Sequence, residues 1–105
     1  MGNIALTEGV YYILLSLTDG MHGYGIIQNV ERLSNGRVRL AAGTLYGAIN
    51  SLLEKGWIRA LDNGADSRKK EYLITDEGRK VLNDEIKRLK ELYENGMAIT
   101  GGEDL

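Results

Sequence analysis

The chain has 105 residues, 43% hydrophobic and 27% charged, with a formal net charge of −2 and no cysteine, proline or phenylalanine. That size holds one compact domain with a modest core, and the lack of cysteine excludes a disulfide framework and thiolate metal sites. No apolar run approaches the ~20 residues that span a bilayer, and the richest, VYYILLSL (10–17), lacks the flanks of a signal peptide, so a cytoplasmic protein without a membrane partner is expected.

A first helix is expected from an N-cap at Thr7, with Glu8 in its first turn, to Asp19-Gly20. Its interior is apolar nearly all round, so it needs cover on more than one side. A second helix runs from about Gly23 to Leu33, with Tyr24, Ile27 and Val30 at helical spacing. His22, just ahead of it, reads as a cap or a backbone-bonded side chain; Asn35 or Gly36 supplies a left-handed end. Arg37-Val38-Arg39-Leu40 alternates and suggests a short strand. The third helix is expected from about Ala42 to Lys55, stopped by Gly56. WIRALDN (57–63) and RKKEYLIT (68–75) alternate around a Gly/Asp/Ser loop and read as a β-hairpin. A fourth helix starts after Thr75, with Asp76 and Glu77 favourable at its positive end, and runs to Asn95-Gly96. The tail MAITGGEDL is expected to be frayed or disordered.

This order predicts an α+β fold, mostly α. Residues 1–75 form a winged helix-turn-helix, 76–96 an added dimerisation helix and 97–105 the tail. The average charge conceals a gradient. Residues 31–80 carry ten Lys/Arg against seven Asp/Glu, a balance of +3, while the segments on either side are acidic.

The third helix lies in that basic middle, yet its outward face is bare. Leu45, Ile49, Leu52 and Leu53 mark the buried side; Gly43, Gly47, Asn50 and Ser51 lie opposite, with Thr44 and Tyr46 at the edges. A helix that enters the major groove needs such a face. Gly43 and Gly47 let the backbone approach, Asn50 has the geometry to bond adenine, and Thr44 and Tyr46 can reach phosphate or a thymine methyl. Arg68, Lys69 and Lys70 at the shoulder of the hairpin suit backbone phosphates, with salt-dependent binding. Tyr24 can offer its hydroxyl to a phosphate. Glu54, an acid near the outward face, fits this reading least well.

The fourth helix carries the stripe Leu82, Ile86, Leu89 and Tyr93, longer than one small core can cover. Pairing it with the over-apolar first helix of a second copy, through Tyr11 and Leu14, buries both surpluses and gives an isologous homodimer on a palindromic site. Folding back onto its own first helix is the alternative. An enzyme is disfavoured. There is no cysteine, the single His22 has no evident Ser or Asp partner, and Asp76-Glu77 and Asp84-Glu85 sit at adjacent helical positions that do not converge. No cofactor or metal site is expected. A winged helix that binds only protein is the competing function, favoured slightly by the acidic total.

LTEGVYYILLSL, HGYGII, GRVRLAAGTLYGAINSLLEKGWI and SRKKEYLITDEGRKVL, in this order, resemble the PadR family of bacterial transcriptional regulators over roughly residues 6–82. The resemblance implies a homodimeric winged-helix repressor of double-stranded DNA, whose last helix packs on the partner's first helix. It implies DNA contacts at Tyr24, Thr44, Tyr46, Arg68, Lys69 and Lys70, and release by a small hydrophobic or phenolic effector. Tyr11, Tyr12 and Tyr93 are candidates to line such an effector site. Ala42 departs from the family pattern, which has proline there to preset the first turn. The chain also matches the subfamily with a single C-terminal helix, leaving little protein for an effector pocket.

Overall fold

In the computed structural model, residues 5–61 and 70–103 are described. Four helices and a three-stranded antiparallel sheet follow in the order α1 (Glu8–Ser16), β1 (Met21–His22), α2 (Gly23–Leu33), α3 (Ala42–Lys55), β2 (Ile58–Leu61), β3 (Glu71–Ile74) and α4 (Asp76–Thr100). The fold is the expected winged helix, mostly α.

Each boundary has a local cause. The Thr7 hydroxyl caps α1 by accepting from the Val10 N–H (3.2 Å). At α2 the cap is His22, whose Nδ1 accepts from the Gly25 N–H (3.2 Å). That helix ends in two left-handed residues, Asn35 (φ 54) and Gly36 (φ 79). α3 stops at Gly56 (φ 75), where the Gly56 and Trp57 amides close onto Leu53 and Leu52. Thr75 caps α4 and is doubly anchored: its hydroxyl accepts from the Gly78 N–H and donates to the Gly56 carbonyl (2.6 Å).

The core joins all these elements. Ile13, Leu14 and Leu17 meet Ile26 and Val30 of α2, Leu45, Ile49 and Leu52 of α3, and Ile58, Tyr72 and Ile74 of the wing. Each large aliphatic side chain buried here contributes about 1.5–3 kcal/mol. One residue from α4, Leu82, completes the cluster.

Four expectations need correction. The strand expected at 37–40 is irregular, and Met21-His22 forms the third strand instead, in the order β1-β3-β2. Met21 pairs with Tyr72 and His22 with Glu71, taking the free edge of β3. Residues 37–40 have no neighbouring strand. The Ser34 hydroxyl accepts the Val38 N–H (2.9 Å), and ion pairs from Arg37 to Glu8 and from Arg39 to Glu31 hold the segment as a loop. α1 closes at Ser16, three residues early, because the Leu17 and Thr18 amides tighten onto the preceding turn.

α4 passes through Gly96 and ends at Gly101 (φ 68), whose N–H reaches the Met97 carbonyl (2.8 Å). A mid-helix glycine costs about 1 kcal/mol against alanine, too little to end a long helix. Residues 97–100 are therefore helical rather than tail. Finally, Leu14 (0% exposed) and Leu82 (4%) are core residues of one chain and are not free for a partner. They lie where α4 folds back on α1, so the division at residue 75 separates α4 from a core to which it contributes.

Candidate nucleic-acid interface

α3 turns Leu45, Ile49 and Leu52 inward. Successive residues are about 100° apart on a helix, so Gly43, Gly47, Asn50 and Glu54 share the opposite line, and all are exposed. A Cβ built on Gly43 or Gly47 would meet nothing within 4 Å. No packing inside the chain requires these glycines. Asn50, Thr44 and Ser51 are exposed beside them. Among the described residues the Asn50 amide has no hydrogen-bond partner.

Tyr46 stands on the flank of α3 facing α2 and the wing. Its hydroxyl end packs on Gly23, the first residue of α2, where a Cβ would lie 2.9 Å from Tyr46 Cζ. A side chain there would force the Tyr46 ring to shift. Tyr46 is still 45% exposed, so one edge of its ring packs while the other faces solvent. Tyr72 of β3 lies near it. Burial, and secondarily Tyr46, push the Tyr72 hydroxyl above the usual tyrosine value, keeping it neutral. Tyr24, the chain neighbour of Gly23 in the first turn of α2, is 66% exposed. The contact of Gly23 with Tyr46 is one that its sequence position alone did not disclose.

Lys70 is exposed at the start of the strand leading into β3. Arg68 and Lys69 lie outside the described residues. Arg37 and Arg39 are exposed but each is ion-paired, Arg37 with Glu8 and Arg39 with Glu31. The Arg37 guanidinium holds the Glu8 carboxyl below its usual range.

The second surface is α4. Its first turns are locked to the domain. Glu85 is 2% exposed, accepts the Leu6 N–H (2.9 Å) and is bridged by Arg88 (2.6 Å). Arg88, against the opposing effect of burial, holds this carboxyl below the usual range, with help from Leu6. Sequence periodicity missed Glu85, because an acid on an apolar stripe looks like a solvent-facing residue. Beyond it Ile86, Leu89, Leu92, Tyr93, Met97 and Ile99 are all exposed. Tyr11 and Tyr12 pack together (centroids 5.8 Å apart) and line a cleft of about 300 Å³ with Leu6, Glu85, Arg88 and Leu89. Burial, and then Tyr12 and Glu85, push the Tyr11 hydroxyl above its ordinary value. Tyr93 lies a helical turn beyond Leu89 and is not part of that lining. Among the described residues no cluster of His, Asp and Glu could hold a metal, and no helix is long and apolar enough to cross a membrane.

Comparison with known proteins gives the same picture. The sequence profile of the transcriptional regulator PadR-like family matches residues 10–84. A PadR-family transcriptional regulator from Eggerthella lenta is 26% identical, with a TM-score of 0.65 over 90% of this chain and 82% of that one. Bacillus subtilis PadR, solved in complex with operator DNA, is 27% identical, with a TM-score of 0.59 over 71% of this chain and 44% of that one. An uncharacterized 37.1 kDa protein from a Streptomyces fradiae transposon is 35% identical over 81 residues, 76% of this chain. The chain spans about a fifth (22%) of the length of that curated relative.

Proposed function

The chain belongs to the PadR-like family of transcriptional regulators, and on that premise we propose that it binds double-stranded operator DNA as a homodimeric repressor. The observation that carries the reading is the outward face of α3, where two glycines, at which a Cβ would meet nothing within 4 Å, adjoin an exposed amide with no hydrogen-bond partner among the described residues. A glycine inside a helix is destabilising by about 0.5–1 kcal/mol, and no packing among the described residues requires either one. A partner that must come close to the backbone accounts for both. Tyr24, Thr44, Tyr46, Gly47 and Asn50 meet the duplex, and Lys70, with Arg68 and Lys69, meets phosphates. The likeness to a PadR solved on operator DNA supports the assignment.

Dimerisation is supported by the far half of α4. Ile86, Leu89, Leu92, Tyr93 and Met97 form an exposed apolar flank on a helix already fastened to its own domain. A second copy, related by a two-fold axis, covers it and sets the two recognition helices 34–36 Å apart, or a multiple of that, on a palindrome. Half-covered Tyr11 extends that surface. A small hydrophobic effector entering the cleft beside Tyr11 and Tyr12 would act at the same junction.

Gel shifts on a palindrome near the protein's own promoter test the assignment. Tyr46→Ala should weaken specific binding by roughly 1–3 kcal/mol, and Lys70→Ala should weaken binding on all sequences and flatten the salt slope by about one. Failure to bind heparin or DNA at low salt would instead favour a winged helix used for protein contacts.

A further inference from the structure

We propose that Asn50 is the base-reading side chain of α3 and that its target is an adenine, so that an A·T pair, not a G·C pair, anchors the half-site. The proposal rests on the DNA-binding reading above and deepens it. The commonest specific contact in the major groove is Arg or Lys to guanine, whose edge presents only acceptors, O6 and N7. α3, described along its whole length, has no arginine, histidine or glutamine. Its one lysine, Lys55, stands in the last turn with its ammonium 4.8 Å from the centre of the Trp57 ring. The outward line is Gly43, Gly47, Asn50 and Glu54. A glutamate accepts only, so the acceptor edge of guanine repels it; the N4 amine of cytosine would suit it, but Glu54 stands in the last turn of α3, and it is the N-terminal part of a recognition helix that meets base edges.

The exposed Thr44 and Ser51 hydroxyls bond either kind of base pair and so discriminate little; the side chain that can pair with two atoms of one base is the amide. It carries a donor and an acceptor side by side, which match the N7 acceptor and N6 donor of adenine. Reach supports the same residue. The asparagine amide is attached through a single methylene, so it touches a base only where the helix backbone lies close to the groove floor. Gly47 and Gly43, one and two turns earlier on the same line, leave the backbone bare, with nothing within 4 Å of a Cβ at either. Asn50 itself is exposed, and among the described residues it makes no hydrogen bond that must break before it reads a base.

The test uses the intact chain and duplexes selected from a random library. Every enriched half-site should share one adenine. Replacing it by 7-deazaadenine, which removes N7, should weaken wild-type binding about tenfold and leave Asn50→Ala unaffected. Asn50→Ala should lose preference at that position alone while still binding heparin. Unchanged wild-type binding to the deaza duplex, or an unaltered preference in Asn50→Ala, overturns the inference while the DNA-binding reading stands. Selection of no site at all, with no retention on heparin, overturns both.

Discussion

Replacing Gly47 by alanine sets folding against binding, and the structure gives the sign of each. Gly47 lies in the second turn of α3, and a Cβ there would meet nothing within 4 Å. Alanine is better than glycine in a helix interior by roughly 0.5–1 kcal/mol, with no packing cost to subtract. Gly47→Ala should therefore be more stable. With a urea m-value of about 1–3 kcal/mol/M, the midpoint should rise by a few tenths of a molar unit. Circular dichroism at equal protein concentration reads this. On DNA the same methyl occupies the line through which the backbone approaches the groove, and affinity for a selected operator should fall at least tenfold. Fluorescence anisotropy at fixed salt reads that. A variant that is more stable and binds as tightly as the parent would show that the glycine admits no duplex. A less stable variant would show that the site is not open.

Gly78→Ala should go the other way. Its Cβ would lie 2.8 Å from Ile74 Cγ1 and closer still to the Trp57 carbonyl oxygen, and overpacking against backbone costs about 1–3 kcal/mol or more; a urea midpoint equal to the parent's would refute this. Glu85→Gln removes a charge-assisted pair to Arg88, a loss of about 1.5–3 kcal/mol at neutral pH. Because the folded carboxyl is held below its unfolded value, its contribution is fully present above ordinary carboxylate pH and is lost as pH falls through the lower folded value. The gap between parent and variant should close in acid; a gap independent of pH would sink the account. Leu89→Glu, on the free flank of α4, should leave the fold intact and give a monomer by sedimentation, and a variant that still dimerises would refute the proposed seam.

Much of this molecule was legible in its residues. Thr7, Thr75 and Gly56 bound helices where short-range rules place them, because a cap is settled within four residues. The outward face of α3 was legible for the same reason, as a matter of helical period alone. The misses are all long-range. Met21-His22 is a strand only because β3, fifty residues later, offers an edge. Arg37–Leu40 alternates as well as any strand, but its ion pairs to Glu8 and Glu31 and the Ser34–Val38 bond hold it as a loop. Leu14 and Leu82 looked like surplus surface because their stripes were counted without knowing that α4 crosses α1 within one chain. Gly23 and Gly78 carry no local signal at all; what each needs is set by Tyr46 and Trp57 from other elements.

The position of α4 gives the fold its means of linking two surfaces. Thr75 ties its first residue to Gly56, the cap of α3, and the Thr75 N–H reaches the Trp57 carbonyl (2.9 Å). Nearly three turns on, Glu85 ties it to Leu6, in the lead to α1. Both ends of the DNA-binding core are thus fastened to one helix. That helix has 25 residues, a rod of about 37 Å at 1.5 Å per residue. No proline interrupts it, and Gly96 falls only in its last turns, so a rotation imposed on the far half is carried to the near half. In the dimer proposed above, the crossing of two such rods fixes the separation of the two α3 helices. A change of packing at Leu89 or Tyr93 would then alter operator affinity without touching a single DNA-facing residue. In that dimer, operator half-site spacing would be a property of the α4 seam, whereas the bases chosen within each half-site would be a property of α3.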